Sequence, residues 1–268
     1  MNFLTPCFMS IWYYQPVQVF PMLILATNDD GVYSPGLGAL AKALKSLGDV
    51  WVVAPDKEQS AVSHSLTLHR PLLVEEVMDK VYAVNGTPTD CVHLAVNGLL
   101  PQRPDLVVSG INKGGNLGDD VTYSGTVSAA FEAAIMGIPA FAVSMVARQD
   151  FRFHAAAEFS RRLAGIIMKE GLKKDTLLNV NVPNLPDDQI KGVKVTRQGR
   201  REYSGSVLER IDPRGKKYYW IGGIIEDWIP APEADHQAVS EGYISVTPLK
   251  LDLTDHDAVS VLRAWEGL

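Results

Sequence analysis

The 268-residue sequence predicts an α/β fold, a mostly parallel sheet with helices packed on both faces. Three observations carry that expectation. From Met22 onward, short apolar runs of strand type alternate with stretches of helical spacing. Several of those runs end in loops of small oxygen-bearing residues, as strands do where their carboxyl ends face a ligand crevice. Hydrophobic residues make up 46% of the chain and charged ones 21%, enough apolar matter to bury a core.

Met22–Thr27 reads as the first strand, because its apolar run stops abruptly at Asn28-Asp29-Asp30-Gly31. Leu37, Leu40, Ala41, Leu44 and Leu47 then recur at helical spacing, with Gly48 as the stop. Val50–Ala54 is a second strand, ended by Pro55-Asp56. Leu72–Val77 and Val81–Val84 resemble a hairpin or edge pair, and a helix is expected over Thr89–Gly98, capped by Thr89 or the preceding turn. Leu106–Ser109 is a short strand of buried type, followed by a glycine-rich loop through Asp120. Thr126–Met136 reads as a small-residue helix, Pro139–Ser144 as a strand, Phe153–Lys169 as a helix and Leu177–Val182 as the last core strand. Beyond about Gly192 the texture changes: Arg197–Lys217 is basic and turn-rich, and Tyr218–Ile221 and Tyr243–Val246 read as strands of a hairpin or arm. With no linker and no repeat, residues 22–268 are expected to form one domain with an extended C-terminal arm from about residue 192.

Residues 1–21 stand apart. They are rich in aromatics, hold no Lys or Arg, and lack the basic start and continuous apolar core of a signal peptide. Pro6, Gln15, Pro16 and Gln18 break them too often for a membrane span. Met22 is the expected natural start, with the preceding segment an upstream translation or a disordered arm. The formal charge of −6 argues against duplex nucleic acid or anionic membrane as a general partner. Cys7 and Cys91 give no disulfide framework, which fits a cytoplasmic, reducing compartment.

Chemistry concentrates in three loops that follow separate strands: Asn28-Asp29-Asp30-Gly31, Ala54 through Ser60, and Ser109 through Asn116. Two adjacent carboxylates repel each other and resist burial unless a cation lies between them. A hard divalent ion, Mg²⁺ or Mn²⁺, held by Asp29, Asp30 and neutral oxygens such as Ser60 and Asn112 would leave a nearly neutral site open to phosphate. Asp-Asp-Gly is equally good turn chemistry, so the motif alone does not decide. Tyr123-Ser124-Gly125-Thr126 precedes the small-residue helix; Ser or Thr there is an N-cap, and the same helix start can hold an anion. Asn116 and its glycines would add donors. Asp56-Lys57-Glu58 and Asp119-Asp120 read as solvated turns, Lys113 as an exposed loop lysine, and Tyr218, Tyr219 and Trp220 as hairpin packing. His64 and His69 read as structural or solvated, and His93 as pointing away from Cys91.

These motifs, in this order, resemble the SurE family of metal-dependent nucleotidases. The resemblance runs from Ile24–Gly31 through Val52–Ser60, Ser63–Leu68, Val84–Val92, Ser109–Asn112 and Tyr123–Val127 to Asp212–Gly215, Tyr219–Gly222 and Gly242–Leu249. It implies a Rossmann-like core, C-terminal arms exchanged within a homodimer or homotetramer, and one divalent cation on Asp29, Asp30, Ser60 and Asn112. It implies hydrolysis of nucleoside 5′- and 3′-monophosphates, with short polyphosphate as a further substrate. Asp29 or Asp30 would take the proton of an attacking water, while Asn116, Ser124, Gly125 and Thr126 hold the phosphate. Two other classes use similar parts: a Mg²⁺-dependent phospho-receiver module and a nucleotide sensor without turnover.

Overall fold

The computed structural model describes residues 22–201, 207–221, 228–265 and 267. The expectation for residues 1–21 lies outside the described residues. Its elements, in chain order, are β1 (Leu23–Thr27), α1 (Pro35–Leu44), β2 (Asp49–Pro55), β3 (Val74–Met78), β4 (Val81–Val84), α2 (Pro88–Leu94), β5 (Leu106–Lys113) and α3 (Gly125–Ile135). They continue as β6 (Ala140–Val146), α4 (Phe153–Glu170), β7 (Thr176–Pro183), β8 (Val193–Val195), β9 (Arg200–Arg201), β10 (Val207–Ile211), β11 (Lys217–Ile221), β12 (Trp228–Ile229), α5 (Asp235–Ser240), β13 (Ile244–Lys250) and α6 (His256–Leu262). No described helix is long and apolar enough to cross a membrane.

Nine strands form one sheet in the order β3-β4-β2-β1-β5-β6-β7-β13-β8. The six from β4 to β7 run parallel, and they leave β1 in opposite directions, toward β2 and toward β5. That reversal makes the carboxyl ends of β1 and β5 the topological switch point, where doubly wound sheets bind ligands.

Alternation along each strand sends side chains to two separate cores. Ile24, Ala26, Val52, Val108, Phe141 and Val143 meet α1 and α4 on one face. Leu25, Val53, Val107, Ala140 and Ala142 meet α2 and α3 on the other. The small residues of β6 on this second face match the alanines of α3, Ala129, Ala130, Ala133 and Ala134, so that helix lies close to the sheet. On the first face, a Cβ at Gly36 would stand 2.1 Å from the carbonyl oxygen of Ile111; only glycine lets α1 approach β5 so closely.

The placement of α4 fixes the hand of its crossover. The connections through α1, α2 and α3 share one hand, whereas β6–α4–β7 steps the same way as β5–α3–β6 but passes over the opposite face. Parallel crossovers are right-handed in about 98% of cases, which makes the α4 connection the left-handed one. The face of β7 that α4 would otherwise cover is therefore open to loops.

Helix α2 begins one residue before the expected Thr89, and its cap is Thr87, in a capping box with Asp90. It passes into a π turn over Ala95–Leu99. The larger difference is at the C-terminal end. Leu177–Val182 is not the last core strand, because β13 returns to the sheet antiparallel to β7 and β8 follows on its far side. Ile244 and Val246 face the core while Ser245 and Thr247 are buried on the other side. A strand with one polar buried face reads as a surface arm in sequence. The hairpin expected at Tyr218–Ile221 exists, but its partner is β10, and Val207, Leu208, Ile211, Tyr219 and Trp220 on it are exposed.

Candidate active site

The loop after β1 carries the acid pair. Asn28 turns the chain by donating its amide to Gly31 O at 3.0 Å, and Gly31 takes φ +97°, a conformation that favours glycine. Asp29 is buried, Asp30 half-buried. The Asp29 backbone carbonyl accepts the Gln59 N–H at 2.8 Å, which stitches the loop after β2 to the acid pair. Ser60 follows, its hydroxyl donating to Glu58 Oε1 at 2.6 Å. Ala61 and Ser63 both hold φ 55°, the left-handed region that costs a non-glycine residue about 1–2 kcal/mol. Ser63 repays part of that by bonding across to the backbone oxygens of Thr122 (2.8 Å) and Tyr123 (3.2 Å).

β5 reaches the same place through a bulge. Ser109 pairs with Ala142 and Asn112 with Ser144, so β5 spends one extra residue there and re-aims Asn112. Asn112 donates its amide to Gly114 O at 2.9 Å, which leaves its carbonyl oxygen as the donor atom for a cation. The Lys113 N–H binds Asp30 Oδ2 at 3.1 Å.

Asp29, Asp30, Ser60, Asn112, Asn116 and Ser124 line one cavity of about 340 Å³. Gly125 and Thr126 do not line it. They stand behind Asp29: the Thr126 hydroxyl donates to Asp29 Oδ1, and a Cβ at Gly125 would come within 2.9 Å of Asp29 Cβ. The Ser124 hydroxyl accepts the Val127 N–H at 3.0 Å as the α3 cap, so its contribution to the cavity is made while capped. Glu58, Lys113, Asp120 and Tyr123 also line the cavity; Glu58 and Lys113 are exposed, as expected of a surface turn and a loop lysine, and Asp120 is partly buried. Asp120 pairs with Arg201 at 3.1 Å, and Arg201 lies over the Trp228 ring. Nothing local ties Glu58 or Asp120 to the acid pair; they meet it only because three strand ends converge. His64 and His93 belong elsewhere, bonded at 2.9 and 3.1 Å to the two oxygens of buried Glu132 on α3.

Burial pushes the Asp29 carboxyl up to about 6; the Thr126 hydroxyl opposes this and the neighbouring Asp30 adds to it. Asp30 is raised by burial too, against the stabilising Lys113 N–H. Such a pair is short of positive charge. Among the described residues no three His, Cys, Asp or Glu side chains form a metal-binding group, so a cation here would rest on two carboxylates plus neutral oxygens. That all-oxygen set, Asp29, Asp30, Ser60 and Asn112 around one cavity, fits a hard divalent ion.

Comparison with known proteins places the fold and the sequence in one family. The family model described as survival protein SurE matches residues 24–205. The 5′-nucleotidase SurE of Geotalea uraniireducens is 55% identical over 246 residues, 91% of this chain and 99% of that protein. The protein of the same name from Geobacter sulfurreducens is 54% identical over 91% of this chain and 94% of its own length. Among solved structures, the SurE protein from Aquifex aeolicus superposes with a TM-score of 0.82 at 48% identity, covering 90% of this chain and 98% of that one. With its switch-point acid pair, its sheet order and these matches over most of its length, the chain belongs to the SurE family.

Proposed function

We propose that this chain is a nucleotidase that hydrolyses the phosphate ester of nucleoside 5′-monophosphates with one divalent cation, Mg²⁺ or Mn²⁺, on Asp29, Asp30, Ser60 and Asn112. The observation that carries the reading is the acid pair at the switch point, Asp29 buried and Asp30 half-buried, short of positive charge and ringed by neutral oxygens. The relatives named 5′-nucleotidase support the substrate class. When bound, such a cation polarises a phosphoryl oxygen and lowers the pKa of a water. The chain's own groups do the rest. Asp30, half-exposed to the cavity, accepts the proton of the attacking water, while Asp29 is pinned by Thr126. The start of α3 at Ser124 and the Asn116 loop bind the phosphate oxygens, and Lys113 adds positive charge at the same wall. Tyr123, exposed at the rim, offers its ring to the nucleoside. The same site would accept 3′-monophosphates and short polyphosphate, and the working form would be a homodimer or homotetramer that exchanges arms drawn from residues 192–268.

The test is phosphate release from AMP and GMP with Mn²⁺, Mg²⁺ or EDTA, in the native chain and in Asp29→Asn. Release that needs the metal and falls by at least about 10²-fold in the variant is the expected result. No release with any metal from folded protein would leave a binding module and end the reading.

A further inference from the structure

Two polar rows cross the sheet at its carboxyl edge, on the face that holds α3. Strand register aligns Thr27, Ser109, Ala142, Asn179 and Thr247 in one row, and Asn112, Ser144, Asn181 and Ser245 in the next. All but Asn112 are buried. Buried asparagines inside a central strand cost the fold their hydration and need partners. Here the partners converge on one residue. Asn181 accepts the Asn116 N–H at 2.9 Å and donates to the Asn116 carbonyl at 3.0 Å; Asn179 donates to that same carbonyl at 2.8 Å. The Asn116 side chain is tied at its own end, donating to Ser144 Oγ at 2.8 Å.

Asn116 lies in the irregular loop between β5 and α3, where no ladder would otherwise hold its backbone. Asn181 pairs with both of its main-chain groups as a neighbouring strand would. Asn179 binds only the carbonyl of Asn116, while its own carbonyl oxygen finds no partner among the described residues, a cost that packing alone does not explain.

We propose that Asn181 and Asn179 are positioning residues that fix Asn116 against the phosphate end of the cavity. They act through the backbone of Asn116 and touch neither cation nor substrate. The inference deepens the nucleotidase reading and rests on it for its kinetic signature. Because Asn116 is outside the proposed cation set, the two functions of the cavity separate: loosening Asn116 weakens the hold on phosphate and leaves the cation untouched.

The experiment compares the native chain with Asn181→Ala, Asn179→Ala and Leu163→Ala, the last a core truncation on α4 behind the opposite face. In Asn181→Ala, amide exchange over residues 114–118 is expected to quicken, kcat for AMP to fall about tenfold, and inhibition by inorganic phosphate to weaken in proportion. The Mn²⁺ concentration for half-activation should stay where it was. Asn179→Ala, losing one bond of three, should show the same pattern more weakly, and Leu163→Ala should lose stability without it. Unchanged exchange at 114–118, an equal loss of kcat in Leu163→Ala, or a parallel shift in Mn²⁺ activation would each overturn the proposal. If Asn181→Ala does not fold, Asn181→Asp keeps the acceptor for the Asn116 N–H, drops the donor, and is judged by the same readings. Should the native chain release no phosphate, the functional reading falls, while the exchange comparison still decides whether these asparagines hold the loop.

Discussion

At the scale of single residues, Asp29 is held by what stands behind it. The Thr126 hydroxyl fixes one carboxylate oxygen, and Gly125 leaves room for the Asp29 side chain against the start of α3. Gly125→Ala suits the helix itself, since alanine is the better helix former. Its new methyl would nonetheless press Asp29 out of place. Phosphate release is therefore expected to fall on the order of 10²-fold with the melting temperature nearly unchanged, checked by kinetics beside a thermal melt. The acid pair stood out in the sequence because an apolar strand rarely stops on two carboxylates and a glycine, and Ser60 stood out as a neutral oxygen at a further strand end, whereas spacing alone did not separate Asn112 from Asn116. Lys113, Glu58 and Asp120 did not stand out, because nothing local distinguishes a cavity wall from a surface turn. Gly125 and Thr126, expected at the phosphate, also brace the Asp29 carboxylate from behind, a role that no local pattern announces.

Among the elements, α3 is the hub. Its start abuts the acid pair and its middle carries Glu132, which gathers His93 from α2 and His64 from the loop after β2. The hydrogen bond from His64, joined by that from His93 and opposed by burial, holds the Glu132 carboxyl below its ordinary 4.5. A depressed carboxylate stabilises the fold above its unfolded pKa, and that contribution disappears as pH falls through the lower folded value. Urea midpoints measured downward from pH 7 should drop more steeply below about pH 4.5 in the native chain than in Glu132→Gln, which starts lower and has no such group to lose. Equal slopes would show that the two histidines do not stabilise the charged carboxyl. Helices and parallel strands were readable here because each repeats a simple period. The sequence puts the cap at Thr89 or in the turn before it; Thr87 and Thr89 flank the same proline, and the capping box with Asp90 selects Thr87, in that turn.

Across the whole molecule, the sheet ends in a place that periodicity could not reveal. β13 has a polar, buried face at Ser245 and Thr247 that mimics a solvent-exposed arm, so the sequence reading ended the core before it, while β8 beyond it is an exposed edge. What does project is the β10–β11 ribbon, with Leu208, Tyr219 and Trp220 exposed. A lone two-stranded ribbon is marginal in water, and apolar side chains on it need a cover. In the arm-exchanged oligomer proposed above, a second copy would supply one, and Leu208→Asp with Trp220→Asp is expected to lower the mass seen by light scattering; an unchanged mass would remove the ribbon from the proposed assembly. The left-handed passage through α4 has a last consequence, for anyone who would transplant this site. On an idealised scaffold with four right-handed crossovers, a helix would lie where the Asn116 loop now rests, and grafting the three strand-end loops alone would reproduce the acid pair without its phosphate wall. The portable unit is the loops together with the carboxyl ends of β6 and β7 at Ser144, Asn179 and Asn181, and the reversed crossover is what keeps a second helix off those ends.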